Sequence, residues 1–437
     1  MKDQSAHLSL KTLLNSDFLR LVTSFAEESA KAFGLSAADA LKLTLACEEI
    51  FTYLCKAGRR DETITTEAGN GGYYAQVKFL FKAHDFNPRG FNLTASVSLE
   101  DQTSLEEMGL LIASRSVDRL SISGNPQQGL ELVLIKEKSY PEMKEIEVPE
   151  IKPIKNFSFR IPDPESLKLF VRLVVGRYPA LLYLPCFRFP GKVVDMMASG
   201  EYSAMLASGE QGQIAGGLLW RWVGNKTVEL FGPYLFRQPA DPELANGLVD
   251  ACLGRIAKTE AIGLISRTST PDLPQRYFER LGSVDFIQPN GTSQPWPVYY
   301  RQLYEDLGCQ VWAHPDLHGF LRGEYDRLSF AREILLTRHE GEKRPPYSVF
   351  AAQFDRAHHQ IILRAIWDGE DAADSLAQHV KVLKADNLHN IFFEIDLAQA
   401  WQAGLVPALL HNAFEPRLIL PYGGQADVVV FQYQGGT

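Results

Sequence analysis

Between Val228 and Gly247 the chain runs through an apolar strand, a broken turn and the start of a helix. That order sets free backbone N–H groups and the positive end of a helix dipole before any anion held at the turn. Leu230, Phe231, Tyr234, Leu235 and Phe236 make the strand apolar. From about Pro242, Leu244, Leu248, Ala251, Cys252 and Ile256 recur at helical spacing. Arg237 opens the turn and suits a phosphate. Pro239 and Pro242 each remove an N–H donor, and Asp241 and Glu243 place two negative charges where an anion would sit. Acids also stabilise a helix start without any ligand, so the turn reads both ways.

Other residues with chemical potential are sparse. His358 and His359 are adjacent in a hairpin turn and point to opposite sides, so joint metal chelation is not expected. Glu394 and Asp396 either face a cleft or alternate with core residues. The five cysteines, Cys47, Cys55, Cys186, Cys252 and Cys309, are scattered, odd in number and without a C-x-x-C pair, which indicates neither a disulfide framework nor a zinc ribbon. Cys47 and Cys252 fall on apolar helix faces. No H-x-E, HExxH, GxSxG or Walker motif occurs, and no metal is expected.

Composition sets the frame. A chain of 437 residues implies two to four domains, and its 45% hydrophobic and 22% charged content is that of globular proteins. A net charge of −9 argues against general nucleic-acid affinity. The N-terminus MKDQSAHLSL is no signal peptide and no apolar run reaches membrane-spanning length, so a cytoplasmic protein without membrane or nucleic-acid partners is expected.

The elements that would position these residues follow from periodicity. Residues 9–33 read as a helix with Leu10, Leu13, Leu14, Phe18, Leu21, Val22 and Phe25 on one stripe. Ser36 with Asp39 predicts an N-cap, and Leu43, Cys47, Ile50, Phe51 and Leu54 a second helix to about Lys56. A Gly-rich turn (68–72), strands at 73–81 and 91–99, a helix over 104–119 and a hairpin 120–123/129–137 complete an α/β sandwich on a mixed sheet. Residues 138–156, charged and carrying three prolines, read as a linker. A strand and two helices (to residue 198) come next, then a hairpin 202–208/214–223, strand 228–236, helix 242–258, strand 262–268, helix 275–280 and strand 298–303. Residues 306–437 repeat that order more faintly: helix 323–336, hairpin 347–355/360–367, helix 371–383, strand 391–395, helix 398–412 and strand 427–432. The expected fold class is α/β (α+β), with domains at 1–137, 157–305 and 306–437.

Four segments together resemble a known family: ACEEIFTYLCKAG (46–58), Phe86-Asn87-Pro88, MGLLIASRSVDRLSI (108–122) and QGLELVLIK (128–136). Their order and spacing resemble the histidine-kinase-like (GHKL) ATPase domain of bacterial anti-sigma factors, over about residues 8–137. The resemblance implies a nucleotide site at Glu49, Tyr53, Asn87 and Gly109. Glu49 holds the family's Glu position, but Tyr53 stands where an Asn binds Mg²⁺, and a phenol fits that octahedral oxygen shell poorly. Phe81 replaces the adenine-reading Asp, Ala83 a Gly, and only Gly109 remains of a glycine pair. ATP hydrolysis with Mg²⁺ is therefore not expected. The family implies instead a protein partner of the sigma-factor or anti-anti-sigma kind.

FRIPDPE (159–165), SGEYSAMLASGEQGQIAGGLLW (199–220) and QRYFERLGSVDF (275–286) resemble the acyl-CoA-dependent N-acyltransferase (GNAT) fold over about residues 155–305, and residues 306–437 resemble a second, divergent copy. In that family two parallel strands part and the pantetheine arm fills the gap. The resemblance implies acetyl-CoA or another acyl-CoA at Leu235, Phe236, Arg237, Asn246 and Gly247, with Glu229 as general base and Tyr277 as the acid for the leaving thiolate. The turn lacks the family's paired glycines. Two readings stay open: a regulatory protein with degenerate nucleotide and CoA motifs that binds a partner or small molecule, and an active N-acyltransferase acting on an amine.

Overall fold

The computed structural model describes residues 7–82, 86–95, 102–125, 129–143, 154, 156–236, 242–288, 291–338 and 343–435. The chain forms two compact units, one of residues 1–140, 343–352 and 364–382, the other of residues 141–342, 353–363 and 383–437. The architecture is mixed α/β throughout.

In the first unit β1 (His7–Leu13) leads into α1 (Leu19–Ala32) and α2 (Ala37–Ala57). Then follow β2 (Thr63–Asn70), β3 (Tyr74–Phe81), α3 (Gln102–Ser116), β4 (Arg119–Asn125) and β5 (Gly129–Glu137). Ser36 caps α2 by accepting the Asp39 N–H at 3.1 Å, as the sequence predicts. The sheet runs β1-β2-β3-β5-β4 with antiparallel pairing throughout, not the mixed sheet expected. Period-two burial of Ala75, Val77, Phe79 and Phe81 on β3, and of Leu130, Leu132 and Leu134 on β5, turns one face toward the helices.

Three expectations fail here. Residues 9–13 lie on a strand, because HLSLKTL alternates and pairs with β2 before the helical stripe begins at Leu19. The Gly-rich stretch 68–70 is the end of β2, a strand the sequence reading missed. Of the strand expected at 91–99, Phe91 ends a 3₁₀ turn (Pro88–Phe91), 92–95 form no strand and 96–99 lie outside the described residues.

The returning segments 343–352 and 364–382 complete this unit. The buried Asn92 side chain behaves like a piece of strand: Nδ2 donates to Ser348 O at 2.7 Å and Oδ1 accepts the Phe350 N–H at 3.0 Å. Trp367 packs edge-on to Phe86, ring centres 5.9 Å apart.

The second unit opens with β6 (Ser158–Arg160), α4 (Pro164–Arg177) and α5 (Pro190–Ala198), then β7 (Ser203–Ser208), β8 (Ile214–Val223) and β9 (Thr227–Leu235). Next come α6 (Pro242–Ile256), β10 (Gly263–Ser266), β11 (Glu279–Ile287) and β12 (Ser293–Gln302). Asp163 caps α4 with Pro164 in its first turn. The sheet order is β6-β7-β8-β9-β10-β12-β11, with β9 and β10 parallel. The helix expected at 275–280 is a 3₁₀ turn, Gln275–Tyr277, followed by β11, on which Leu281 and Phe286 are buried.

The remaining chain gives β13 (Cys309–Ala313), α7 (Pro315–Leu328) and β14 (Arg332–Leu336), with β13 and β14 parallel. Then follow β15 (Val349–Asp355), β16 (Gln360–Trp367), α8 (Ala372–Ala385), β17 (Asn390–Asp396), the short α9 (Ala400–Ala403) and α10 (Val406–His411), β18 (Phe414–Leu420) and β19 (Val428–Tyr433). Their sheet order is β15-β16-β17-β19-β18. The helix expected at 323–336 sits earlier and its second half is β14. The one expected at 398–412 is broken at Gly404, before the Pro407 that opens α10. Within this unit β11 meets the last sheet through side chains: Gln432 Oε1 accepts the Asp285 N–H at 2.9 Å and Arg417 pairs with Asp285 at 2.6 Å.

Because the returning segments complete the first unit's core, a fragment of residues 1–140 should fail to give a cooperative urea transition. Trp367→Ala in the full chain should cost about 3–5 kcal/mol. An unchanged transition in that variant would show the ring to be dispensable.

Candidate functional site

Every residue of β9 is buried, as expected of a central strand covered on both faces. Among these nine residues only Glu229 carries a charge, and its side chain is 2% exposed. A buried carboxylate must be paired. Across the β8–β9 ladder Arg221 stands directly opposite and donates from Nε (3.0 Å) and Nη2 (2.8 Å) to Glu229 Oε2. Arg267, just past β10, donates from Nε to Oε1 at 2.6 Å and from Nη2 to Oε2 at 3.0 Å. Its Nη1 reaches Glu394 of β17 at 3.0 Å. Burial alone would raise the Glu229 pKa, but Arg267 and Arg221 outweigh it and hold the carboxyl ionised, well below its usual range.

These side chains line a cavity of about 290 Å³ inside the second unit. Tyr202, which accepts from Arg221 Nη1 at 3.3 Å, Phe231, Phe286 and Trp296 add aromatic walls. Asp355 and His358 also line the cavity and form an ion pair. The other ring nitrogen of His358 donates to Ala180 O at 2.8 Å. Burial, which would lower the His358 pKa, is outweighed by Asp355 and that carbonyl, so it is raised and the ring stays charged to higher pH.

Beside the cavity β9 and β10 part company. They pair only over Thr227–Glu229 and Gly263–Ile265, and β9 runs on to Leu235. The backbone groups of Leu235 are nevertheless occupied. Its N–H donates to the Tyr178 hydroxyl at 2.6 Å, and that hydroxyl lies 3.0 Å from Leu235 O and 2.7 Å from Asp272 Oδ2. Thr270 donates to Pro233 O at 2.6 Å. The N–H and C=O of Leu235 and the C=O of Pro233 are thus all engaged within the chain.

The remaining site residues of the sequence reading fall as follows. Tyr277 sits in an exposed turn between Arg276 and Arg301, its hydroxyl 3.4 Å from Asp250, and does not line the cavity with Glu229. Phe236 donates its N–H to Ala215 O at 2.9 Å and packs on Phe170. Arg237, like all of 237–241, lies outside the described residues. Asn246 is half-buried on α6. At Gly247 a Cβ would stand 2.3 Å from the Phe159 ring, so close ring packing accounts for that glycine without a phosphate.

In the first unit the structure does gather Glu49, Tyr53, Asn87 and Gly109. A Cβ on Gly109 would lie 2.7 Å from Glu49 Oε2. The Tyr53 hydroxyl donates to Asn87 O at 3.0 Å and accepts the Asn87 N–H at 2.9 Å, while Asn87 Nδ2 donates to Glu107 at 3.1 Å. Phe81 and Tyr53 both pack edge-on to Phe86, an apolar neighbourhood where the resemblance implies an adenine-reading acid. Ala83 lies outside the described residues.

His358 and His359 point apart: His359 stacks with His389 at 6.3 Å. Glu394 faces the cavity, whereas Asp396 accepts the N–H groups of Ala398, Gln425 and Ala426. Among the described residues no cluster of His, Cys, Asp or Glu is placed to hold a metal, and no helix is long and apolar enough to cross a membrane. Sequence reasoning missed Arg221, Arg267, Tyr178, Trp296 and Asp355. One signal was available: a lone acid in an apolar strand demands cations on its neighbours, and Arg221 between Trp220 and Trp222 is such a residue.

No family model matches the chain, and no curated protein matches it. Among solved structures, the chain is similar to a GNAT-family acetyltransferase from Staphylococcus aureus Mu50, with 13% identity over 34% of this chain and 100% of that one, TM-score 0.27. It is also similar to a GNAT-superfamily phosphinothricin acetyltransferase from Sinorhizobium meliloti in complex with AcCoA (16% identity, 34% and 88% covered, TM-score 0.28). A third is a GNAT-family N-acetyltransferase from Escherichia coli in complex with CoA (16% identity, 36% and 86% covered, TM-score 0.26).

Replacing Glu229 by Gln leaves two half-buried guanidinium groups without their carboxylate and should cost the second unit about 3 kcal/mol in urea unfolding. Because the folded carboxyl is held below its ordinary 4.5, its contribution is whole above that pH and is lost as pH falls below it. The acid loss of stability that Glu229 contributes should therefore set in below about pH 4.5, and Glu229→Gln should show less of that loss. Equal stability of the two proteins at pH 7 would refute the pairing.

Proposed function

We propose that the second unit is an acyltransferase-like binding module, which holds a small molecule in its charged cavity and does not transfer an acyl group. The observation that carries this reading is the state of Glu229. A general base needs a pKa near the working pH and a lone pair to spare. Here both carboxylate oxygens accept from arginine, and the group is held strongly ionised. The Tyr178 hydroxyl on Leu235 supports the same reading, since it occupies backbone groups that a pantetheine arm would use.

In this reading the first unit is a histidine-kinase-like domain that has given up Mg²⁺ chemistry. Tyr53 is engaged with the Asn87 backbone, and the domain serves a protein partner of the anti-sigma kind. An active N-acyltransferase is the competing reading, favoured by the parting of β9 from β10 on the edge of the cavity.

Calorimetry with acetyl-CoA separates the two. The binding-module reading expects affinity weaker than about 1 mM, roughly −4 kcal/mol, and no amine-dependent release of free CoA thiol. Tighter binding with thiol release would establish the acyltransferase instead.

A further inference from the structure

The cavity of the second unit has a built polarity that narrows its ligand, if it is a ligand site as proposed above. At one end opposite charges stand side by side: Arg221 and Arg267 next to Glu394, with Arg267 Nη1 3.0 Å from Glu394 Oε1. Each guanidinium has five N–H donors, and three on each are engaged by Glu229, Glu394 or Tyr202. The side chains of Arg221 and Arg267 are 27% and 21% exposed, and both line the cavity.

An aromatic wall leads away from that end. Trp296 donates its indole N–H to Arg267 O at 2.8 Å, its ring centre lies 5.9 Å from Phe286, and Phe286 lies 6.5 Å from His358. The Asp355–His358 pair closes the far end. With His358 protonated, three cations (Arg221, Arg267, His358) face three anions (Glu229, Glu394, Asp355). The lining is therefore balanced in charge, which disfavours a polyanion or a polyamine. At about 290 Å³ the space suits a small ligand, at the lower end of the ~300–1,000 Å³ usual for such sites.

We propose that this cavity binds a free aromatic amino acid. Its carboxylate meets Arg221 and Arg267, its ammonium lies beside Glu394, its ring lies along Trp296 and Phe286, and a polar group on the ring reaches Asp355. A molecule with an ammonium and a carboxylate on one carbon matches the guanidinium–carboxylate end, and an aromatic body matches the Trp296–Phe286 wall.

Calorimetry on the full chain tests this with L-tyrosine, tyramine (no carboxylate), N-acetyl-L-tyrosine (no ammonium) and L-alanine (no ring). L-Tyrosine should bind, and each of the other three should bind at least about tenfold more weakly. Arg221→Gln should weaken L-tyrosine by a similar factor. The panel on wild type stands even if that variant folds poorly. The ligand class is overturned if tyramine or N-acetyl-L-tyrosine binds as tightly as L-tyrosine. It is equally overturned if L-tyrosine, L-phenylalanine and L-tryptophan at millimolar concentration all give neither heat nor a shift in melting temperature. Acetyl-CoA-dependent N-acetylation of L-tyrosine, read by mass, would overturn the non-catalytic reading and leave the ligand class standing.

Discussion

Moving a carboxylate into the middle of a nine-residue buried strand is costly, and the second unit is arranged around meeting that cost at Glu229. The register of β8 on β9 is the one that sets Arg221 opposite it, and β10 pairs with β9 far enough to bring Arg267 in from the other side. Arg267 in turn reaches Glu394, so the charge on one sheet fixes a residue of the next. Well-packed apolar residues of similar volume would often serve stability as well as such a group. These charges stand beside open space, on the wall of the cavity. Their fixed directions leave guanidinium edges and a carboxylate facing one volume.

The parted strands carry a related lesson. A gap between parallel strands leaves backbone groups that must find partners. In this chain a tyrosine hydroxyl from α4's C-terminal end and a threonine supply them, at Leu235 and Pro233. The parting of β9 from β10 is thus kept while the hydrogen-bonding capacity of the gap is spent internally.

Much of the element order was legible, because it rests on local periodicity: α2 with its Ser36 cap, the strands β3, β5 and β9, and helix α6 all follow from spacing. Failures came where a short segment had apolar residues compatible with both periods. Residues 9–13 and 332–336 read as helix but lie in strands, since pairing with β2 and β13 decided the matter. Gly247 looked like a remnant of a phosphate turn, and the ring of Phe159 against it is invisible without the fold. The site was less legible than the fold for a simple reason. Glu229 stood out as a lone charge, but its partner Arg267 lies 38 residues on with nothing local to mark it, and Glu394, though a candidate in the sequence, is tied to Arg267 over 127 residues. Tyr178, 57 residues before Leu235, is equally silent in sequence.

The Asn92 amide that holds Ser348 and Phe350 has a consequence for the order of events during synthesis. That contact spans 256 residues, and the segments it joins belong to the same compact unit. A ribosome delivers the N-terminal 140 residues long before residues 343–382 emerge. The first unit's core must therefore wait, apolar surface uncovered, through the translation of most of the chain. Long-range closure of this kind slows folding and prolongs exposure to aggregation. A ribosome stalled before residue 343 would hold a nascent protein in which neither of the two units can be complete.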